Sequence, residues 1–231
     1  MVQRRDKKEI LVWDRATRAF HWSLLVMVVV CWITSEIEDA LFWTHLVAGY
    51  IVLLLVLFRL AWGVMGGRHA RFGDFVRGWP AIRGHVRELL ALKPSRYVGH
   101  NPLGGWMILA LLAVLSLTVV TGLFAGDDDE TGPYAILVNP VIADAMSEVH
   151  ETLFGLLMFL VALHVLGVLA DSLLGRENLV RAMWTGNKQV PKNDPGDNPE
   201  TDAAEPSIFR FLMALILAAV VLAAVIWGAP V

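Results

Sequence analysis

His150 and His164 stand fourteen residues apart in one apolar run, and His21 and His45 fall in two others. Lipid does not solvate an imidazole, so a histidine in such a run is a functional candidate. Its neutral nitrogens are also the commonest metal ligands in proteins. One such histidine alone is as well explained by packing across helices, but four of them invite a search for a pattern. Fourteen residues of α-helix advance about 21 Å and stop about 40° short of four full turns, so His150 and His164 face the same way at separate heights. Arg59 follows His45 by the same interval. A zinc or di-iron centre needs a compact ligand cluster with carboxylates, and ligands four helical turns apart cannot converge on one ion. The spacing accommodates two separate sites.

The elements that position these residues are membrane spans. The chain has 231 residues, 56% of them hydrophobic, and a mean hydropathy of +0.58, too apolar for a domain whose whole surface meets water. Crossing the hydrocarbon takes roughly 20 apolar residues, and five segments qualify: 19–37, 42–65, 103–125, 149–172 and 207–228. The first follows a basic stretch, but no small-residue cleavage pattern comes after it, so it reads as a retained helix rather than a signal peptide. Lys and Arg cluster before the first span, between the second and third, and between the fourth and fifth. The alternate loops carry Glu36, Glu38, Asp39, Asp127, Asp128, Asp129, Glu130 and Asp144 instead. Retention of positive charge in the cytoplasm puts the N-terminus there and the C-terminus in the periplasm of a bacterial inner-membrane protein. The expected partners include membrane lipid and exclude nucleic acid.

Four parts follow: a cytoplasmic segment over 1–18, a four-helix domain over 19–185, a disordered cytoplasmic linker over 186–206 rich in Pro, Asp and Glu, and a C-terminal transmembrane helix over 207–231. Alternation of span direction pairs the histidines by depth, His45 with His150 at the outer level and His21 with His164 at the inner. Each pair can clamp a planar metal macrocycle from two sides, which fills the iron's coordination and suits electron transfer. A lone cysteine, Cys31, and the absence of C-x-x-C-H exclude covalent attachment. The fold class is therefore an all-α integral membrane protein, a four-helix bundle holding two haems b plus a fifth C-terminal helix.

Arg59 is placed to meet a propionate of the inner haem. Gly49, Gly63, Gly105, Gly122, Gly155 and Gly167 give close approach to a flat ring or to a neighbouring helix. Trp22, Trp43, Trp62 and Trp106 read as an interfacial belt, and His69, His85 and His100 as surface residues of a basic loop.

The chain also contains V-W-D-R-A-T-R-A-F-H-W at 12–22, H-N-P-L-G-G-W at 100–106, V-H-E-T-L at 149–153 and A-L-H-V-L-G-V-L-A-D-S-L-L-G-R-E-N-L-V-R-A-M-W-T-G-N-K at 162–188. With these it resembles the cytochrome b subunit of nickel-iron hydrogenases and the related bacterial di-haem cytochromes b, which are similar to the membrane subunit of formate dehydrogenase. The resemblance spans about residues 10–190. It implies His21 and His164 as ligands of the inner haem and His45 and His150 of the outer, with electrons exchanged with quinone near the inner one. It further implies Asn101 and Gly104 as quinone contacts, although Asn101 before Pro102 is equally an ordinary helix start. The expected function is electron transfer between the quinone pool and a periplasmic redox protein, a hydrogenase small subunit or a c-type cytochrome. The alternative is a superoxide:quinone oxidoreductase, which acidic outer loops disfavour because they repel an anion. The fifth span and its linker lie outside the family pattern.

Overall fold

The computed structural model describes residues 7–37, 41–127, 130–191 and 205–230. Strand β1 (Lys7–Leu11) leads into helices α1 (Arg15–Ser35) and α2 (Phe42–Met65), followed by the short α3 (Phe72–Phe75) and α4 (Trp79–Leu90). Helix α5 (Pro102–Phe124), one 3-10 turn at Ala135–Leu137, α6 (Pro140–Leu174), α7 (Leu179–Thr185), strand β2 (Asn187–Pro191) and α8 (Ile208–Gly228) complete the order. Among the described residues, five helices (α1, α2, α5, α6 and α8) are long and apolar enough to cross a membrane.

The helix starts are written in side chains that accept from orphan backbone N–H groups. The Asp14 carboxylate accepts from the Thr17 N–H at 2.7 Å at the head of α1. Asn139 before Pro140 accepts from Ile142 at 2.9 Å, and Asn178 from Arg181 at 2.7 Å. With that start at Asn139, α6 runs 35 residues, about 52 Å, and begins nine residues before the expected span at 149. Its first turns carry Asp144 and Glu148, which end an apolar run but not a helix.

The reading of 186–206 as disordered needs correction at its start, since Asn187–Pro191 pairs antiparallel with Lys7–Leu11, Leu11 facing Asn187. Residues 192–204 lie outside the described residues. The strand forms because it has a core to join: Val190 packs with Val98 and Met183 against the buried Ile10, Val12, Trp13 and Ala182. Gly186, at φ 90, turns the chain from α7 into β2; a Cβ there would lie 2.8 Å from the Trp13 carbonyl. The Gly186 carbonyl accepts from the N–H groups of both Val12 and Trp13. Beside them Lys188 is 4% exposed, its ammonium donating to the Tyr97 carbonyl and to Glu177. Burial pushes its pKa below the usual lysine range, with Glu177 opposing the shift. Apart from this ribbon and one bridge between Gly126 and Thr131, the described elements are helical.

The chain divides into two compact units. The first comprises Met1–Ala19, Trp62–Ile108 and Leu163–Phe211; the second comprises Phe20–Ala61, Leu109–Ala162 and Leu212–Val231. In the first, Trp62 is 1% exposed and its indole N–H is shared between both Asp14 oxygens at 3.3 Å, so it is a core residue and not part of an interfacial belt. His85 departs from expectation likewise: it is 1% exposed and packs edge-on against Tyr97. Gly63 and Gly105 admit Phe72 and Phe75, which a Cβ would meet. In the second unit, Val52 and Val56 of α2, Leu115 of α5 and Leu157 of α6 form a buried cluster. Leu24, Met27 and Val28 of α1 pack against it. Ala214 and Ala218, one turn apart on α8, are 0% and 2% exposed. The Tyr134 hydroxyl also donates to the Val225 carbonyl at 2.5 Å, so α8 is held by this chain's own residues.

Candidate functional site

Two of the four histidines meet inside the second unit. His45 lies in the first turn of α2 and His150 in α6, with ring centroids 6.2 Å apart and planes inclined by 74°. Each ring is held from behind by the backbone of a different helix. His45 Nδ1 lies 3.0 Å from the Cys31 carbonyl of α1, and His150 Nδ1 lies 2.8 Å from the Thr118 carbonyl of α5. A carbonyl oxygen only accepts, so each Nδ1 carries the proton and donates, which leaves the Nε2 lone pair as the free ligand atom. A carbonyl has two lone pairs, so Thr118 serves His150 in addition to bonding within α5. Thr34 adds a hydroxyl 3.3 Å from His45 Nδ1. Gly122 of α5 makes room for His150, because a Cβ there would fall 2.8 Å from His150 Cε1.

With both Nδ1 atoms engaged by carbonyls and the ring centroids 6.2 Å apart, the Nε2 atoms of His45 and His150 are the nitrogens that would hold a metal. Among the described residues no group of three or more His, Cys, Asp and Glu gathers to hold an ion; the site offers two imidazoles. Around it lies a cavity lined by apolar Val28, Leu53, Phe154 and Leu157, with Cys31 and Gly49. Gly49 is one turn beyond His45 and a Cβ there would meet nothing within 4 Å. A mainly apolar recess beside two pre-oriented imidazoles fits a flat metal macrocycle.

The other residues are placed as follows. His21 belongs to the second unit and His164 to the first, each half-buried. Arg59 is 3% exposed, with its guanidinium carbon 6.0 Å from the ring of Phe20, the residue before His21. A charge buried to that degree needs an anionic or hydrogen-bonding environment. Asn101 caps α5, its carboxamide oxygen accepting from the Gly104 N–H at 2.6 Å, while its amide nitrogen donates to Asp171 of α6. A Cβ on Gly104 would lie 3.2 Å from that oxygen. The site residues that side-chain reasoning missed are the carbonyls of Cys31 and Thr118, the Thr34 hydroxyl and Asp171. The first two carry no signal in residue type, whereas Asp171 lies inside the quoted 162–188 motif.

The charges separate by unit. Every Lys and Arg except Arg59 belongs to the first unit, and the acidic residues from Asp127 to Glu130 belong to the second. The described part of that acidic loop is turned by the Asp127 carboxylate accepting from the Glu130 N–H at 2.7 Å. Asp128 and Asp129 lie outside the described residues.

Comparison with known proteins agrees with this chemistry. Residues 12–186 match the family described as prokaryotic cytochrome b561. A protein of Azotobacter vinelandii named probable Ni/Fe-hydrogenase B-type cytochrome subunit is 26% identical over 83% of this chain and 93% of its own length. Proteins of the same name from Cupriavidus necator and Bradyrhizobium diazoefficiens are 24% and 22% identical, each over 78% of this chain and 86% of their own. No solved structure matches the chain.

Proposed function

The chain belongs to the prokaryotic cytochrome b561 family, and on that premise we propose that it holds two haems b and passes electrons between quinone and a hydrogenase on the periplasmic side. Family membership makes it a multi-pass membrane b-type cytochrome; the number of haems, their ligands, the partners and the orientation are our reading. The observation that carries it is the His45–His150 pair, 6.2 Å between ring centroids, with both Nδ1 atoms donating to backbone carbonyls. Haem b supplies a one-electron iron couple. His45 and His150 would hold the haem through their Nε2 atoms, and a haem held by two imidazoles suits electron transfer rather than oxygen activation.

His21 and His164 are proposed as the second ligand pair on the sequence argument of matched depth, with Arg59, next to the Phe20–His21 step, neutralising a propionate. Asn101 is proposed at the quinone. Its amide has two N–H groups and one goes to Asp171, so the second is available to a quinone carbonyl oxygen. Gly104 keeps that helix start uncrowded. The Lys and Arg distribution supports a cytoplasmic N-terminus and a periplasmic C-terminus. The names of the relatives support a hydrogenase as the protein partner, reached on the acidic side that carries Asp127 and Glu130.

The test is a dithionite-reduced minus oxidised spectrum and a pyridine haemochrome assay on the purified chain. Two haems b per chain are expected, and a preparation without haem overturns the reading.

A further inference from the structure

We propose that the first unit carries a binding site for a phosphate group, that of an anionic phospholipid, where α6 gives way to α7 and β2. A concave pocket there is lined by Glu9 of β1, Arg96, Arg176 and Glu177 of the connecting segments, Arg181 of α7 and Lys188 of β2. None of the four candidate haem ligands lines it, and the function above makes no use of it.

Four cations face two carboxylates in this pocket, and the residues divide sharply in what their charges already do. Lys188 is buried and engaged, donating to the Tyr97 carbonyl at 3.1 Å and to Glu177 at 3.4 Å, so it consumes the Glu177 charge. Arg96 donates one nitrogen to the Gly175 carbonyl at 2.9 Å. Arg176 and Arg181 make no side-chain hydrogen bond or ion pair with any described residue, and both are exposed. The lining carries four cations against two carboxylates, and one of those, Glu177, is already engaged by Lys188, so the pocket has a surplus of two positive charges. They sit on guanidinium groups, whose planar forks bind phosphate oxygens in pairs. Arg176 stands at φ 52, in the left-handed region that a residue with a Cβ occupies at a cost. It follows Gly175 in the turn that ends α6, so the turn is closed with a cationic residue at a position glycine suits best.

The surroundings favour lipid over a soluble phosphate. Leu173 on the last turn of α6, with Val180 and Trp184 on α7, is strongly exposed, at 78%, 52% and 68% respectively. Arg181 lies between Val180 and Trp184 on the same short helix. Exposed apolar side chains and a tryptophan at the end of a membrane-length helix mark the headgroup level, where basic pockets take phospholipid headgroups. A phosphate on the arginines puts its acyl chains beside these apolar side chains, an arrangement that orthophosphate gains nothing from.

The test uses the full haem-loaded chain in a neutral detergent, titrated with phosphatidylglycerol, with phosphatidylcholine or with orthophosphate, and read by native mass spectrometry and thermal melting. R176Q/R181Q removes the two exposed arginines whose side chains bond to no described residue. R83Q/R87Q removes the same charge from exposed positions of α4 outside the pocket. Unchanged haem spectra and helical circular dichroism establish that both variants fold. The wild type and R83Q/R87Q are expected to retain phosphatidylglycerol, and R176Q/R181Q to bind it about tenfold more weakly. Equal weakening in both variants, or none in either, shows diffuse attraction to the membrane and overturns the site. Stabilisation of the wild type by orthophosphate alone, equal to that by phosphatidylglycerol and lost in R176Q/R181Q, overturns the lipid assignment and gives the pocket to a soluble phosphate.

Discussion

The two compact units answer the same problem, what to do with a polar group away from water, by different means. In the first, the acceptors are mostly carboxylates: Asp14 takes the Trp62 indole, Asp171 takes Asn101 and Glu177 takes Lys188. In the second they are backbone carbonyls: Cys31 and Thr118 take the histidines, Val225 takes Tyr134, and Thr118 and Thr121 bond back to their own helix. A carboxylate buried in an apolar setting costs several kcal/mol in lost hydration, by order of magnitude, whereas a helix carbonyl is already present and has a spare lone pair. The lesson is that the two imidazoles proposed as ligands are oriented by the backbone of neighbouring helices. Their tautomer is then fixed by the packing of those helices and needs no second charge.

The strongest way to break this contrast is to remove a ligand. His150→Ala is expected to drop haem from two per chain to one, and His164→Ala to do the same while sparing a different haem, so their low-temperature difference spectra should be complementary. Identical spectra for the two variants would show that the pairing by depth is wrong. Next in size is Gly49→Leu. A Cβ there meets nothing within 4 Å and Gly49 lines the cavity, so the added side chain is expected to take its space from the cavity. Haem retention at the His45–His150 site should fall severalfold with helical circular dichroism unchanged; full haem content would show that the cavity is not the macrocycle's seat. Asn101→Ala, in the first unit, removes the cap of α5 and is expected to cost about 1 kcal/mol in stability. If Asn101 meets quinone as well, quinol oxidation slows beyond what the shift in melting temperature explains, and a rate that merely follows stability leaves it a cap. Smallest is Thr34→Val. It deletes one hydroxyl from the back of His45, and a hydrogen bond of about 1 kcal/mol corresponds to roughly 40 mV for a one-electron couple. A redox titration should show a shift of that size or less in one haem only, and a shift in both haems would refute the placement.

Most of the fold was legible because membrane helices obey a single strong rule of apolar length. The expected spans at 42–65 and 103–125 coincide within a residue with Phe42–Met65 and Pro102–Phe124. The rule fails where the helix outlives the apolar run, as at Pro140, and where a strand is held by distant residues, as at Asn187–Pro191. Proline and acidic residues nearby pointed to a linker, while most of the buried apolar neighbours that order the strand, Ile10, Val12 and Trp13, come from the other end of the chain. The meeting of His45 and His150 followed from span direction alone. Their carbonyl partners did not, because every residue has a carbonyl and only three-dimensional packing selects one. Trp62 was misread for a related reason: its partner Asp14 lies 48 residues away, beyond the reach of a local pattern.

The β1–β2 ribbon also orders events in time. Leu11 emerges from the ribosome about 180 residues before the strand that it pairs with, and at roughly 5–20 residues per second that is a wait on the order of 10–40 seconds. Through that interval β1 is an unpaired strand edge, open to chaperones or to premature pairing. Closing such a long loop is slow compared with forming the helices that it encloses. The ribbon is therefore a late latch in biogenesis, closing on four spans that are already made.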